Sequence, residues 1–68
     1  MTTLAAVIVR IAELSDAIDR HTADAQRYSD LGMDRKNIDA IARMEESWYE
    51  REDLRRMENR LRNADLAA

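Results

Sequence analysis

Cysteine, proline and phenylalanine are absent from this chain of 68 residues, and it contains a single glycine. Without cysteine there is neither a disulfide framework nor a thiol for metal binding or nucleophilic chemistry. The lack of proline, together with abundant Ala, Leu, Arg and Glu, is typical of uninterrupted helices. The chain has no alternating run of β-branched residues, a pattern that would indicate a β-sheet. The composition therefore predicts an all-α chain.

Charged residues are plentiful but nearly balanced, since they make up 37% of the chain and the formal net charge is −3. Such mild acidity argues against a general nucleic-acid binder. The apolar run from Leu4 to Val9 ends at Arg10, far short of the roughly 20 residues that span a bilayer. The chain also opens without the basic segment of a secretory signal. We therefore expect one domain over residues 1–68, cytoplasmic and without a membrane partner.

The first predicted helix covers residues 3–31 and carries one apolar stripe. The members of the stripe are spaced alternately three and four residues apart, like the a and d positions of a heptad repeat. They are Leu4, Val7, Ile11, Leu14, Ile18, His21, Ala25 and Tyr28. The spacing predicts that this face of the helix packs against a neighbouring helix.

A turn is predicted at residues 32–34. Gly32 suits the left-handed conformation just past a helix end, and Asp34 is a good N-cap for a second helix over residues 35–66. So short a connection makes the two helices antiparallel neighbours. The predicted fold is thus an antiparallel two-helix hairpin. Dimerisation into a four-helix bundle is also expected, because it would share one core between two small chains.

The apolar residues of the second helix change sides along its length. Those of its first half share one face, and those of its second half lie about half a turn away. The two sets are Ile38, Ile41, Met44 and Trp48, and then Leu54, Met57 and Leu61. We expect the first set to face helix one, in a hairpin core that includes Leu14, Ile18, His21, Ile41, Met44 and Trp48. The helix then overwinds, breaks near residues 47–50, or turns its second set toward another protein surface, and we favour the last.

The second half of this helix is the predicted partner-binding surface. Its apolar anchors are flanked by arginines and one tyrosine, residue types that suit protein interfaces. The residues concerned are Tyr49, Arg51, Leu54, Arg55, Met57 and Leu61. If a dimer uses the apolar anchors, the outward arginines and Tyr49 become the better target site. The arginines give residues 51–62 a local charge of about +2, but they split across faces and alternate with acids, so nucleic acid is less favoured.

No set of residues indicates catalysis, metal binding or a cofactor. His21 is the only histidine, and it has too few potential ligands nearby for zinc. The carboxylates of the first helix scatter around its polar face instead of forming a pair suited to acid–base chemistry. We therefore expect no enzyme activity, and we expect His21 to be a half-buried structural residue.

A hairpin of this length, with its turn at Gly32 and an expected dimeric core, resembles the plasmid copy-number protein Rop, a hairpin dimer that binds paired RNA loops. It also resembles the small helical host-takeover proteins of temperate phages, in particular the anti-quorum-sensing type. The likeness lies in small size, absence of cysteine, many arginines beside few lysines, and more interaction surface than the fold needs. This second resemblance implies a non-enzymatic module that inhibits a host protein, such as a transcription regulator, by occluding its surface. The alternatives are a Rop-like RNA or DNA binder and a structural subunit of phage assembly.

Overall fold

The computed structural model describes residues 2–67, which form two α-helices and no β-strand. Helix α1 is Leu4–Asp30 and helix α2 is Asp34–Ala67, so each begins and ends within one residue of its predicted position. The helices pack side by side in a rod of 55 × 18 × 14 Å. The predicted all-α hairpin is confirmed. Among the residues described, neither helix combines the length and the apolar composition that crossing a bilayer requires.

Helix α1 begins at a side-chain cap and buries the predicted stripe. Thr3 has an extended backbone, and its Oγ1 accepts a hydrogen bond from the Ala6 N–H at 3.1 Å. This bond satisfies one of the donors that every helix start leaves free. Val7, Leu14 and Ala25 are buried, and the other members of the stripe are half-buried. The three-and-four spacing therefore predicted correctly which face of α1 packs on α2.

The end of α1 is a Schellman motif built on the single glycine. Gly32 has a φ of +71°, and its N–H donates to the Ser29 carbonyl at 3.1 Å. The Met33 N–H donates to the Tyr28 carbonyl at 2.8 Å. These two bonds satisfy carbonyls that the last turn of a helix otherwise leaves unpaired. The predicted role of Gly32 is confirmed.

Helix α2 begins slightly earlier than the sequence suggested. Asp34 is its first helical residue, and the Asn37 N–H already donates to the Met33 carbonyl at 2.9 Å. Asp34 therefore lies in the first turn and is not the N-cap that was predicted. Its carboxylate still favours the helix start, because the N-terminal end of a helix carries partial positive charge.

The side of α2 that faces α1, which we call the seam, runs the length of the hairpin without changing sides. Its members also alternate in steps of three and four, and all are buried or half-buried. They are Asn37, Ala40, Met44, Ser47, Arg51, Leu54, Glu58 and Leu61. Two hydrogen bonds join the seam to α1: Asn37 Nδ2 donates to the Ala25 carbonyl at 2.7 Å, and Arg51 Nη1 donates to Ser15 Oγ at 3.2 Å. α2 therefore stays one helix and needs no break after Trp48.

The prediction that Ile41 and Trp48 belong to the hairpin core is wrong. Their exposed fractions are 37% and 43%, and Ile38 is 64% exposed. Close to the turn the seam is filled by small side chains, because Ala25 and Ala40 are both buried there. Asn37, Ala40 and Ser47 take the positions of α2 that face α1 in this half, and Ile41 and Trp48 each lie one residue past such a position. Ile38, Ile41 and Trp48 therefore lie beside the seam and are exposed, whereas Met44, Leu54 and Leu61 are half-buried on it.

Candidate protein-binding surface

The two long sides of the hairpin, to either side of the seam, differ in chemistry. On one side a groove is lined by α1 residues such as Thr22 and Ser29 and by Ile41 and Met44 of α2. Because a step of seven residues turns a helix by only about 20°, residues seven apart stay on one side. We call this side the tryptophan flank. It consists of Ile8, Ser15, Thr22 and Ser29 on α1, and of Ile41, Trp48 and Arg55 on α2.

The opposite side, which we call the charged flank, is lined by ionised residues. Arg10 Nη2 lies 3.2 Å from Glu50 Oε1 across the two helices, and Arg10 Nη1 lies 3.2 Å from Glu13 Oε2. The hydrogen bond to Glu50, and then that to Glu13, raise the pKa of Arg10 above its ordinary value. Farther toward the turn this flank carries Asp24, Lys36 and Arg43. On this side of the molecule, oppositely charged side chains therefore pair with one another and are exposed to solvent.

Trp48 of the tryptophan flank forms an exposed aromatic pair with its neighbour Tyr49. The rings of Trp48 and Tyr49 pack edge to face, with centroids 5.2 Å apart and an interplanar angle of 85°. Tyr49 is 63% exposed and Trp48 is more than two-fifths exposed. Ile38 and Ile41 are exposed on the same side of α2, with the exposed Glu45 between Ile41 and Trp48. Exposed aromatic and aliphatic groups in one place are typical of protein-binding surfaces.

The arginines in the second half of α2 mostly contact acids of the same helix. Three of them lie within 3.0 to 3.3 Å of a carboxylate one turn away, in the pairs Arg55–Glu52, Arg56–Asp53 and Arg62–Glu58. Arg51 points into the seam instead, where its Nη1 meets Ser15. These contacts leave less positive charge for an external phosphate than the sequence alone suggested.

The residues predicted to bind a partner are not all presented together. Tyr49 and Arg55 are exposed, whereas Arg51, Leu54 and Leu61 lie half-buried on the seam, and Met57 is half-buried as well. The apolar anchors of the second half of α2 are therefore less available than predicted. Of the residues predicted for the core, Leu14 is buried, and Ile18, His21 and Met44 are half-buried.

His21 lies on the charged-flank side of the seam, in a shallow groove with Asp24, Tyr28 and Lys36. Lys36 Nζ lies 5.7 Å from the centroid of the Tyr28 ring, and Arg27 lies 5.3 Å from the same ring. Within residues 2–67 the structure contains no group of three His, Cys, Asp or Glu side chains placed to hold a metal ion. The groove therefore places side chains of both charges beside the Tyr28 ring.

Sequence reasoning missed the tryptophan flank as a surface, although a signal for it was present. On α1 the residues of this flank are uncharged, because Ile8, Ser15, Thr22 and Ser29 follow one another at steps of seven. The corresponding positions on the other side include Arg10 and Asp24. This asymmetry between the two sides of one apolar stripe indicates which side is suited to contact another protein.

Comparisons with known proteins identify no relative of this chain. No protein-family model matches the chain, and searches of the curated proteins and of the solved structures find no significant match.

Proposed function

We propose that this chain is a non-enzymatic protein-binding module that covers a surface of another protein with its tryptophan flank and the adjoining aromatic pair. The observation that carries the proposal is the exposure of Ile38, Ile41, Trp48 and Tyr49 along one side of a single helix. Trp and Tyr are enriched among the few residues that supply most of the binding energy at protein interfaces, where a partner shields them from water. The proposed mechanism is occlusion, in which the bound hairpin blocks the covered surface from its other partners.

The identity of the covered protein belongs to the same proposal. The resemblance to phage host-takeover hairpins makes a host regulator the first candidate, with the chain as its inhibitor. A nucleic-acid role is less supported, because Arg55, Arg56 and Arg62 each contact an acid on α2. Binding to RNA or DNA phosphates would require these arginines to exchange partners.

The proposal is tested by affinity capture with three baits. The baits are the wild-type chain, Ile41→Glu on the tryptophan flank, and Ala23→Glu on the exposed outer side of α1. We expect the wild type and Ala23→Glu to retain the same protein, and Ile41→Glu to lose it. An identical set of bound proteins on all three baits would contradict the proposal. The captured protein, once purified, should lose its own activity when the wild-type chain is added.

A further inference from the structure

The folded chain exposes more surface than a compact protein of its mass. Its accessible surface is 5254 Å². A compact monomer of 7.9 kDa exposes about 4,400 Å², so the excess is about 850 Å². A protein interface of standard size covers about 800 Å² on each partner. The excess is therefore close to the area that one partner covers in an interface of standard size.

The core of a single hairpin is also very small. Within the described part of the chain, the buried apolar residues are Val7, Leu14, Ala25 and Ala40, of which two are alanines. A chain of this length with so few buried side chains is only marginally stable by itself. It gains stability if the apolar side chains left outside the core are shielded as well. A second copy is a partner present wherever the chain is made, and association with it stabilises the folded state by mass action.

The tryptophan flank carries residues of different size on its two helices. Ile41, Trp48 and Arg55 are the large residues on its α2 side, whereas its α1 side carries the small residues Ser15, Thr22 and Ser29, with Ile8 near the open end. A two-fold axis parallel to the helices places α2 of one copy over α1 of the other, with all neighbouring helices antiparallel. Ile41 and Trp48 of each copy then meet the small residues of the other, which is how packed helical layers interdigitate.

The charges favour the same arrangement. The α1 side of the flank has no ionised residue at its positions, and Arg55 on the α2 side already contacts Glu52 at 3.3 Å. Covering this flank therefore removes little unpaired charge from water, whereas covering the charged flank would desolvate Arg10, Glu50 and their neighbours. The hydrogen bond between Arg51 and Ser15 shows that these residues lie at the same height along the hairpin. A two-fold axis parallel to the helices keeps this height, so Trp48 of one copy would lie near residues 15–22 of the other.

From the excess area, the small core and the match of large with small side chains, we infer that a second copy of this chain covers the tryptophan flank in a two-fold symmetric four-helix bundle. The inference rests on the proposed function, because it names the partner that occupies the same flank. A target protein then reaches the flank by displacing the second copy. In the absence of a target, the chain is a dimer in which the binding surface is buried.

The test is sedimentation equilibrium of the purified chain over a range of concentrations, with two matched variants. Thr22→Arg places a long charged side chain on the small-residue half of the flank, at a position exposed in the single hairpin. Ala23→Arg makes the same addition one residue away, on the outer side of α1. Both positions lie outside the hairpin core, and far-UV circular dichroism confirms that each variant is helical.

We expect the wild type and Ala23→Arg to approach twice the chain mass of 7.9 kDa with similar dissociation constants. Thr22→Arg should raise the dissociation constant by about 30-fold or more, as expected for a central interface position that occurs on both partners. A wild-type mass of one chain at every concentration would overturn the inference, and so would equal effects of the two variants. Neither result depends on capture of a target, so the proposed function can fail or succeed separately.

Discussion

The guanidinium of Arg51 donates a hydrogen bond from Nη1 to Ser15 Oγ, 3.2 Å away, and joins the middle of α2 to α1. The Nε of the same side chain is buried and has no hydrogen-bond partner among the residues that the structure describes. A buried donor without a partner costs roughly 1–3 kcal/mol. The seam thus contains a buried donor that an apolar side chain at the same position would not have.

Replacement of Arg51 by methionine should therefore stabilise the folded chain. We expect the free energy of unfolding in urea to rise by about 1 kcal/mol, because Arg51→Met removes the unpaired Nε and keeps most of the side-chain volume. Arg55→Met, one turn along and exposed, is the matched control and should not stabilise. A loss of stability in Arg51→Met would show that the bond to Ser15 outweighs the cost of the buried donor.

The left-handed backbone at Gly32 should make this position sensitive to any side chain. A Cβ built on Gly32 meets no atom within 4 Å, so the cost of a substitution arises from the φ of +71° and not from a clash. Gly32→Ala should lower the free energy of unfolding by about 1 kcal/mol, and Gly32→Asn by less, since asparagine tolerates this conformation better. Thermal unfolding of the three chains measures the order, and equal melting temperatures would mean that the turn adopts another conformation.

The cap at the start of α1 should contribute measurably to stability. Thr3→Ala removes the hydroxyl that accepts from the Ala6 N–H, and we expect a loss of about 1 kcal/mol in the free energy of unfolding. Thr2→Ala lies one residue before the cap and should have little effect. Amide hydrogen exchange gives a local check, because the Ala6 N–H should exchange faster only in Thr3→Ala. Equal exchange in both variants would contradict the role of Thr3.

The position of the seam makes opposite predictions for two large residues of α2. Leu54 is half-buried on the seam, whereas Ile38 is mostly exposed. In dilute solution, Leu54→Ala should lower the free energy of unfolding by about 2 kcal/mol, and Ile38→Ala by less than about 0.5 kcal/mol. Urea denaturation at low chain concentration separates the two. A larger loss of stability in Ile38→Ala than in Leu54→Ala would instead support the packing of α2 that the sequence first suggested.

The fold was predictable because α1 and the turn follow simple rules. The apolar stripe from Leu4 to Tyr28 alternates in steps of three and four, and Gly32 follows directly after the helix end. Both signals are local and need no knowledge of the partner helix. Antiparallel pairing followed from the shortness of the turn alone.

The packing face of α2 was not predictable from hydrophobicity, because its most apolar residues are not its most buried ones. Ala40 fills the seam near the turn, and the neighbouring contact is an Asn37 amide on the Ala25 carbonyl. In the other half a charged residue, Arg51, takes a seam position. Such choices depend on how the two backbones fit together and on polar contacts across the seam, which a search for the most apolar face does not detect. The candidate surface was displaced with the seam, from Leu54 and Leu61 to Ile41 and Trp48.

The Schellman turn also sets the order in which the two helices can join. The bond between Asn37 and Ala25 links residues 12 positions apart, whereas Arg10 and Glu50 are 40 positions apart. Closing a long loop costs more conformational entropy than closing a short one. We therefore expect the contacts between the helices to form first near Gly32 and last at the open end, on a timescale of microseconds to milliseconds. During synthesis the first cross-helix contact becomes available soon after residue 37 emerges and the later ones follow in sequence. Synthesis therefore makes the contacts between the helices possible in the same order in which the entropy of loop closure favours them.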